Sequence, residues 1–188
     1  IVLLPIYMQT VQGLAPLTTG LLLLPGGLVM GLLGPVVGRL YDRFGARALL
    51  VPGTVLTSVA LWSATLLGVD SPAAQILVFH LLLSAGLAFV FTPLFTAGLG
   101  ALPARLYSYG SAVFGATQQL AGAAGVALLV SVFSVRSAAL VSSGVVGVEA
   151  VAGGVHAAFV VAACLSVAAI VGALFVRTPE TEGAPAVH

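Results

Sequence analysis

Charge is the scarcest property of this sequence. Its 188 residues carry only six basic and five acidic side chains, the basic ones are all arginine, and 60% of the residues are hydrophobic. Soluble domains average about a quarter charged residues, so these few charges cannot cover the surface of a water-soluble globule of this size. A net charge of +1 also provides no basic surface, which argues against nucleic acid as a partner.

Catalytic and cross-linking signatures are missing as well. A single cysteine, Cys164, excludes a disulfide framework and is expected to fill space as a small apolar residue. The sequence contains no P-loop, zinc-protease motif or nucleophile triad. His80 and His156 lack acidic partners inside an apolar run, and His80 is left open between packing and proton sensing. We therefore expect no enzyme activity, no cofactor and no metal site.

Long apolar runs dominate the chain instead. A membrane span takes about 20 apolar residues, and five runs meet that length, at 17–38, 48–67, 75–98, 110–134 and 154–176. Residues 1–9 are a shorter run without an initial methionine, which we interpret as the end of a helix in a fragment of a longer membrane protein. The sequence predicts an all-α, polytopic transmembrane helix bundle in residues 1–176, with five full spans plus a partial N-terminal one.

The arginines predict the orientation of this bundle. Five of the six fall on one side if each run crosses once (Arg39, Arg43, Arg47, Arg105 and Arg177), and Arg136 falls in a loop at 135–153 on the other side. Because cytoplasmic loops collect arginine, we expect a multi-pass protein of the cell membrane with a cytoplasmic C-terminus. The polar segment 177–188 is expected to be a disordered cytoplasmic tail.

The segment 27–47 combines small residues with charge. Four glycines spaced four or three residues apart would let another helix approach closely; they are Gly27, Gly31, Gly34 and Gly38. Pro35 can bend the span near its end. In the loop that follows, Asp42 lies among three arginines, so it can pair with one of them or cap the next helix. A generic arginine-bearing loop is the alternative interpretation.

The spacing of this loop resembles the cytoplasmic motif of the major facilitator superfamily, with matches at Gly38, Asp42, Arg43, Gly45 and Arg47. In that family the motif follows the second helix of each six-helix half and acts as a latch for one transport state. The resemblance implies that Asp42 and Arg43 are latch residues and that Gly38 and Gly45 allow the turn. Ala46 departs from the motif, where the family often has arginine or another polar residue.

Downstream residues extend the resemblance over residues 1 to about 176. The stretch from Pro93 to Gly125 is similar to the second half of the fourteen-span drug:proton antiporters, such as the quaternary-ammonium exporters and EmrB-like pumps, through Leu102, Pro103, Gly110, Ser111, Gln119 and Gly122. Gln118 replaces an arginine common in that family, so a role for the arginine does not transfer.

Polar and helix-bending residues inside the runs are the remaining candidates. Gln118 and Gln119 point about 100° apart on a helix, so at most one faces a cavity squarely, and interhelical hydrogen bonding is the alternative. Tyr7 and Gln9 would line a vestibule if the family pattern holds. Pro93 is expected to distort its helix, and Gly122 and Gly125 to allow close packing.

The function implied by the resemblance is efflux of drugs or other amphiphilic molecules by proton antiport with alternating access. The expected partners are the lipid bilayer, an N-terminal half of the same transporter, a hydrophobic or cationic small molecule, and protons. Because no acid lies deep inside a predicted span, the coupling carboxylate is expected in that N-terminal half. The alternative is a structural or assembly subunit of a membrane complex without transport activity.

Overall fold

The structure is a computed structural model that describes residues 2–176; the expected tail at 177–188 lies outside the described residues. Every regular element in the described range is helical, which confirms the all-α prediction. The elements are α1 (Leu3–Ile6) with a π-helical continuation (Tyr7–Val11), α2 (Pro16–Ala64), α3 (Ala73–Gly100), a 3₁₀ turn (Ala104–Leu106), α4 (Tyr107–Ser142) and α5 (Val148–Phe175). The four long helices are apolar enough and long enough to cross a membrane.

Helix α2 contains two of the five predicted spans. Its 49 residues would extend about 74 Å as one straight helix, more than twice the ~30 Å hydrocarbon layer. The helical geometry is interrupted at Gly45, with φ 78° and ψ 174°, a conformation that favours glycine. Leu23 and Leu61 line the same cavity beside His80, so the chain reverses at Gly45. We call residues 16–44 the first arm of α2 and residues 46–64 the second arm.

Two helix ends lie beyond their predicted positions. Helix α4 continues to Ser142 and α5 begins at Val148, so most of the expected loop at 135–153 is helical and Arg136 lies on an exposed helix surface. Alanine favours a helix and serine and valine weaken it only slightly, and the chain leaves helical geometry where Gly144 and Gly147 adopt φ of 94° and 68°. The first arm likewise continues through the charged residues after position 38.

The core joins α1, both arms of α2, α3 and α5. At one end Tyr7 and Met8 pack with the end of the second arm and with Phe79 and Phe159, whose ring centroids are 5.8 Å apart in an edge-to-face arrangement. A smaller cluster at the other end contains Ala46, Leu50, Ala97 and Ala173. Helix α4 differs from the others because none of its residues is buried, so it lies against the bundle with most of its surface open.

Candidate functional site

The close helix contacts use other glycines than the sequence suggested. A Cβ atom at Gly53 would lie 2.7 Å from the Phe89 Cβ, and one at Gly86 would lie 2.8 Å from the Thr57 backbone nitrogen. Gly26 is covered by the His80 ring, and Gly154 by Phe133 and Ser137. These positions hold α3 against both arms of α2, and α5 against α4, at distances that leave no room for a methyl group.

The predicted packing glycines form an open surface instead. One face of the first arm carries four glycines, which we call the open glycine face (Gly27, Gly31, Gly34 and Gly38). Apart from the arm's own backbone, no atom lies within 4 Å of a Cβ built at any of them. The described helices therefore do not pack on this face, contrary to a packing role within the bundle. Pro35, next to it, is also exposed.

Helix α4 presents a second open surface. Gln118 and Gln119 are both exposed, and a Cβ at Gly122 or Gly125 would meet nothing within 4 Å. Neither glutamine makes a hydrogen bond to another described residue, so interhelical bonding within this bundle is not their role. Pro93 on α3 contrasts with them, because it is fully buried.

The charged turn at 39–47 has its polar side chains in solvent. Asp42, Arg43 and Arg47 are exposed, and the Arg43 guanidinium lies 5.2 Å from the centroid of the Phe44 ring. Asp42 forms no ion pair among residues 2–176, so the expected pairing with an arginine is not observed; exposed pairs contribute little energy to enforce it. Asp42 lies inside the first arm, three residues before Gly45.

The two glycines of this turn behave differently. Gly45 makes the reversal with its positive φ, whereas Gly38 lies in regular helix about two turns earlier and takes no part in it. The reversal therefore needs a single glycine. Gly38 instead extends the open glycine face toward the charged residues.

Tyr7 packs the opposite corner of the bundle. Its side chain is 1% exposed, and its hydroxyl donates to the Gly68 carbonyl over 2.5 Å. The Gln12 amide donates to the Val69 carbonyl over 2.7 Å and lies 3.0 Å from the Tyr7 hydroxyl. Tyr7 therefore ties the π-helical turn to the turn after the second arm and does not line an open vestibule. Gln9 faces outward from the same turn.

A cavity of about 190 Å³ lies between the helices at this end. All five α-helices contribute to its wall, which includes Leu3, Leu23, Leu61, His80, Leu129 and Phe159. Among the described residues that line it, His80 has the only polar side chain. The His80 Nε2 lies 3.0 Å from the Leu23 carbonyl oxygen. Because a carbonyl only accepts, Nε2 is the protonated nitrogen of this pair. Sequence reasoning missed the Leu23 contact, which joins residues 57 positions apart.

Spans of this length and hydropathy, joined by short turns with charge kept at the ends, define a multi-pass membrane helix bundle. The family model "Major Facilitator Superfamily" matches residues 1–126. The chain belongs to the major facilitator superfamily.

Several of the similar proteins carry drug-resistance names. The lincomycin resistance protein LmrB of Listeria monocytogenes is 37% identical over 181 residues, which cover 94% of this chain and 38% of the relative. The protein of the same name from Bacillus subtilis is 35% identical over 96% of this chain and 39% of its own length. The multidrug resistance protein Stp of Mycobacterium tuberculosis is 30% identical over 68% of this chain and 24% of its own length. No solved structure matches the chain significantly.

The chain thus spans about two fifths of the length of its lincomycin-resistance relatives.

Proposed function

We propose that this chain is the C-terminal helix bundle of a drug exporter with fourteen spans, which moves hydrophobic or cationic small molecules out of the cell in exchange for protons. In this proposal the bundle rocks against an N-terminal bundle, and the substrate binds between the two. The drug-resistance names of the relatives support export over the alternative of a structural subunit.

The open glycine face is the observation that carries the proposal. Lipid tails pack equally well against larger side chains, whereas small residues in a span allow another helix backbone to approach closely. A face with four glycines and no neighbour within 4 Å therefore fits a second helix bundle. The exposed α4 glycines would belong to the same contact.

The positions of the acids support different roles for the two bundles, with proton coupling in the N-terminal bundle and the latch in this one. Asp42 lies at the Gly45 reversal, Asp70 in the turn before α3, and Glu149 in the first turn of α5. Each of these acids thus lies at a turn or near a helix end, whereas a proton carrier is expected inside the membrane. The coupling carboxylate would therefore come from the N-terminal bundle, with Asp42 and Arg43 acting in a latch on the cytoplasmic side.

The test uses the complete transporter, expressed in bacteria, with efflux of ethidium and of lincomycin as readouts. Efflux should occur and should stop when a protonophore collapses the proton gradient. Gly31→Leu should block efflux by filling the open glycine face. Gly172→Leu is the matched control, because Gly172 on α5 also has nothing within 4 Å of a built Cβ but lies outside the proposed contact.

Two results would contradict the proposal. Efflux that persists at full rate in a correctly inserted Gly31→Leu protein would remove the open glycine face as a contact between bundles. Efflux that is absent from the unaltered transporter with both compounds would refute drug export.

A further inference from the structure

The first arm of α2 has its weakest point at three consecutive residues. Pro25 has no N–H, so the Leu21 carbonyl loses its helix hydrogen bond, and each of Gly26 and Gly27 disfavours a helix by about 1 kcal/mol relative to alanine. The sequence Pro25-Gly26-Gly27 thus separates an outer segment, residues 16–24, from the part of the arm that carries most of the open glycine face.

His80 of α3 lies directly on this break. Its ring covers Gly26 so closely that a Cβ there would overlap Cδ2 and Nε2, and its Nε2–H donates to the carbonyl of Leu23, two residues before Pro25. The Ser84 hydroxyl, one helical turn further along α3, lies 2.7 Å from the same built Cβ. One side chain therefore contacts both the outer segment, at Leu23, and the break itself, at Gly26.

A cavity lies beside the end of the outer segment, at Leu23. Leu23 and His80 both line the cavity of about 190 Å³, in contrast to the close packing usual in protein interiors. The outer segment thus has room to move toward α3 and α5, and the Leu23 carbonyl is its hydrogen-bonded attachment to α3.

We propose that His80 is a positioning residue that pins the outer segment of the first arm and sets its angle at the Pro25-Gly26-Gly27 break. Release of the Nε2–H from the Leu23 carbonyl lets residues 16–24 swing about this break into the cavity. The part of this inference that concerns transport rests on the proposed function, because it makes the swing one step of opening toward the outside. The pin itself does not depend on that function.

The expected movement follows from the length of the segment. Residues 16–24 rise about 12 Å along the helix axis, so a bend of about 20°, the size at which a helix counts as kinked, moves the tip by about 4 Å. Spin-label distance measurements on the 188-residue chain in lipid nanodiscs resolve such a shift. The labelled background carries Cys164→Ala, since Cys164 is exposed.

Two cysteine pairs report on the two sides of the break. The outer pair joins positions Leu17 and Val78, and the inner pair joins Leu32 and Phe91; all four side chains are exposed. His80→Phe keeps an aromatic ring but removes the donor, and should shift or broaden the outer distance by about 4 Å while the inner distance stays the same. His80→Gln restores an N–H donor and should return the outer distance toward that of the unaltered chain.

One control variant and three outcomes test whether His80 pins the outer segment. His156→Phe changes an exposed histidine of α5 and should leave both distances unchanged. An unchanged outer distance in His80→Phe overturns the pin. An equal shift in the inner pair overturns it too, because the bundle would then have loosened as a whole. A His80→Gln protein as displaced as His80→Phe shows that ring packing, and not the donor, positions the segment.

Efflux kinetics of the complete transporter test the link to transport. His80→Phe should lower the turnover rate several-fold and leave KM within about twofold, and His80→Gln should recover turnover. A shifted outer segment with unchanged turnover overturns the role in transport. If the unaltered transporter exports neither test compound, the proposed function fails, and the spin-label distances still decide the pin.

Discussion

A methyl group added to a glycine should have opposite effects at two positions of this bundle. Gly86→Ala places a Cβ 2.5 Å from the Thr57 hydroxyl oxygen and 2.8 Å from the Thr57 backbone nitrogen. Gly31→Ala places a Cβ where nothing lies within 4 Å. Both substitutions replace glycine by alanine inside a long helix, so the intrinsic gain in helix propensity is the same.

The difference in contacts sets the size of the effect. Ordinary van der Waals contact begins near 3.4 Å, so the Thr57 backbone must move by about 0.6 Å and carry the second arm away from α3. Overpacking of this kind costs about 1–3 kcal/mol, against a gain of up to about 1 kcal/mol from replacing glycine by alanine. Gly31→Ala has only the gain in helix propensity. The free energies of unfolding of the two variants should therefore differ by about 1–3 kcal/mol.

The assay is unfolding of the 188-residue chain in mixed micelles, followed by circular dichroism and by the fluorescence of Trp62, the single tryptophan. Gly86→Ala should unfold at lower denaturant and Gly31→Ala at equal or higher denaturant than the unaltered chain. If Gly86→Ala is as stable as Gly31→Ala, the close contact between α3 and the second arm is wrong. If Gly31→Ala is the less stable variant, the open glycine face packs within the bundle after all.

Two further substitutions test the ends of the bundle. Tyr7→Phe should lower the free energy of unfolding by about 0.5–1.5 kcal/mol, because the buried Tyr7 side chain loses its part-buried hydrogen bond to the Gly68 carbonyl. Tyr109→Phe, at a residue 73% exposed, should have no effect in the same unfolding assay. Equal effects of the two substitutions would show that the Tyr7 hydrogen bond is not stabilising. Asp42→Asn should reduce efflux by the complete transporter several-fold while the protein inserts normally, whereas Asp70→Asn in the opposite turn should not reduce it. Full efflux by the Asp42→Asn transporter would contradict a latch role for Asp42.

Hydropathy and length were enough to predict the spans. A run of about 20 apolar residues has few alternatives to a membrane helix, because every backbone group must be bonded within the segment. The ends of the helices were less predictable. Arg136 appeared to mark a loop, yet arginine is a good helix former and its long side chain can reach the headgroups from within a helix. The chain turns only at Gly144 and Gly147, where φ is positive.

The register between the helices could not be predicted from the sequence. Gly26 and Gly27 are neighbours, but they point about 100° apart, so one meets His80 and the other meets no atom. Which of the two is the contact depends on where α3 lies, and that is set by residues more than 50 positions away. Tyr7 was predicted to line a vestibule for the same reason, since its bond to Gly68 joins residues 61 positions apart.

The composition of α4 connects its exposure to a contact outside this chain. A helix that faces lipid on all sides gains nothing from glycine, which weakens a helix by about 1 kcal/mol per residue, and hydrocarbon does not reward a small side chain. Gly115, Gly122 and Gly125 nevertheless recur on a helix without a single buried residue, next to two glutamines that find no partner among the described residues. Polar side chains in a span normally face protein or a water-filled space. The same reasoning applies to the open glycine face, so both of these open surfaces carry residues that are poorly suited to lipid.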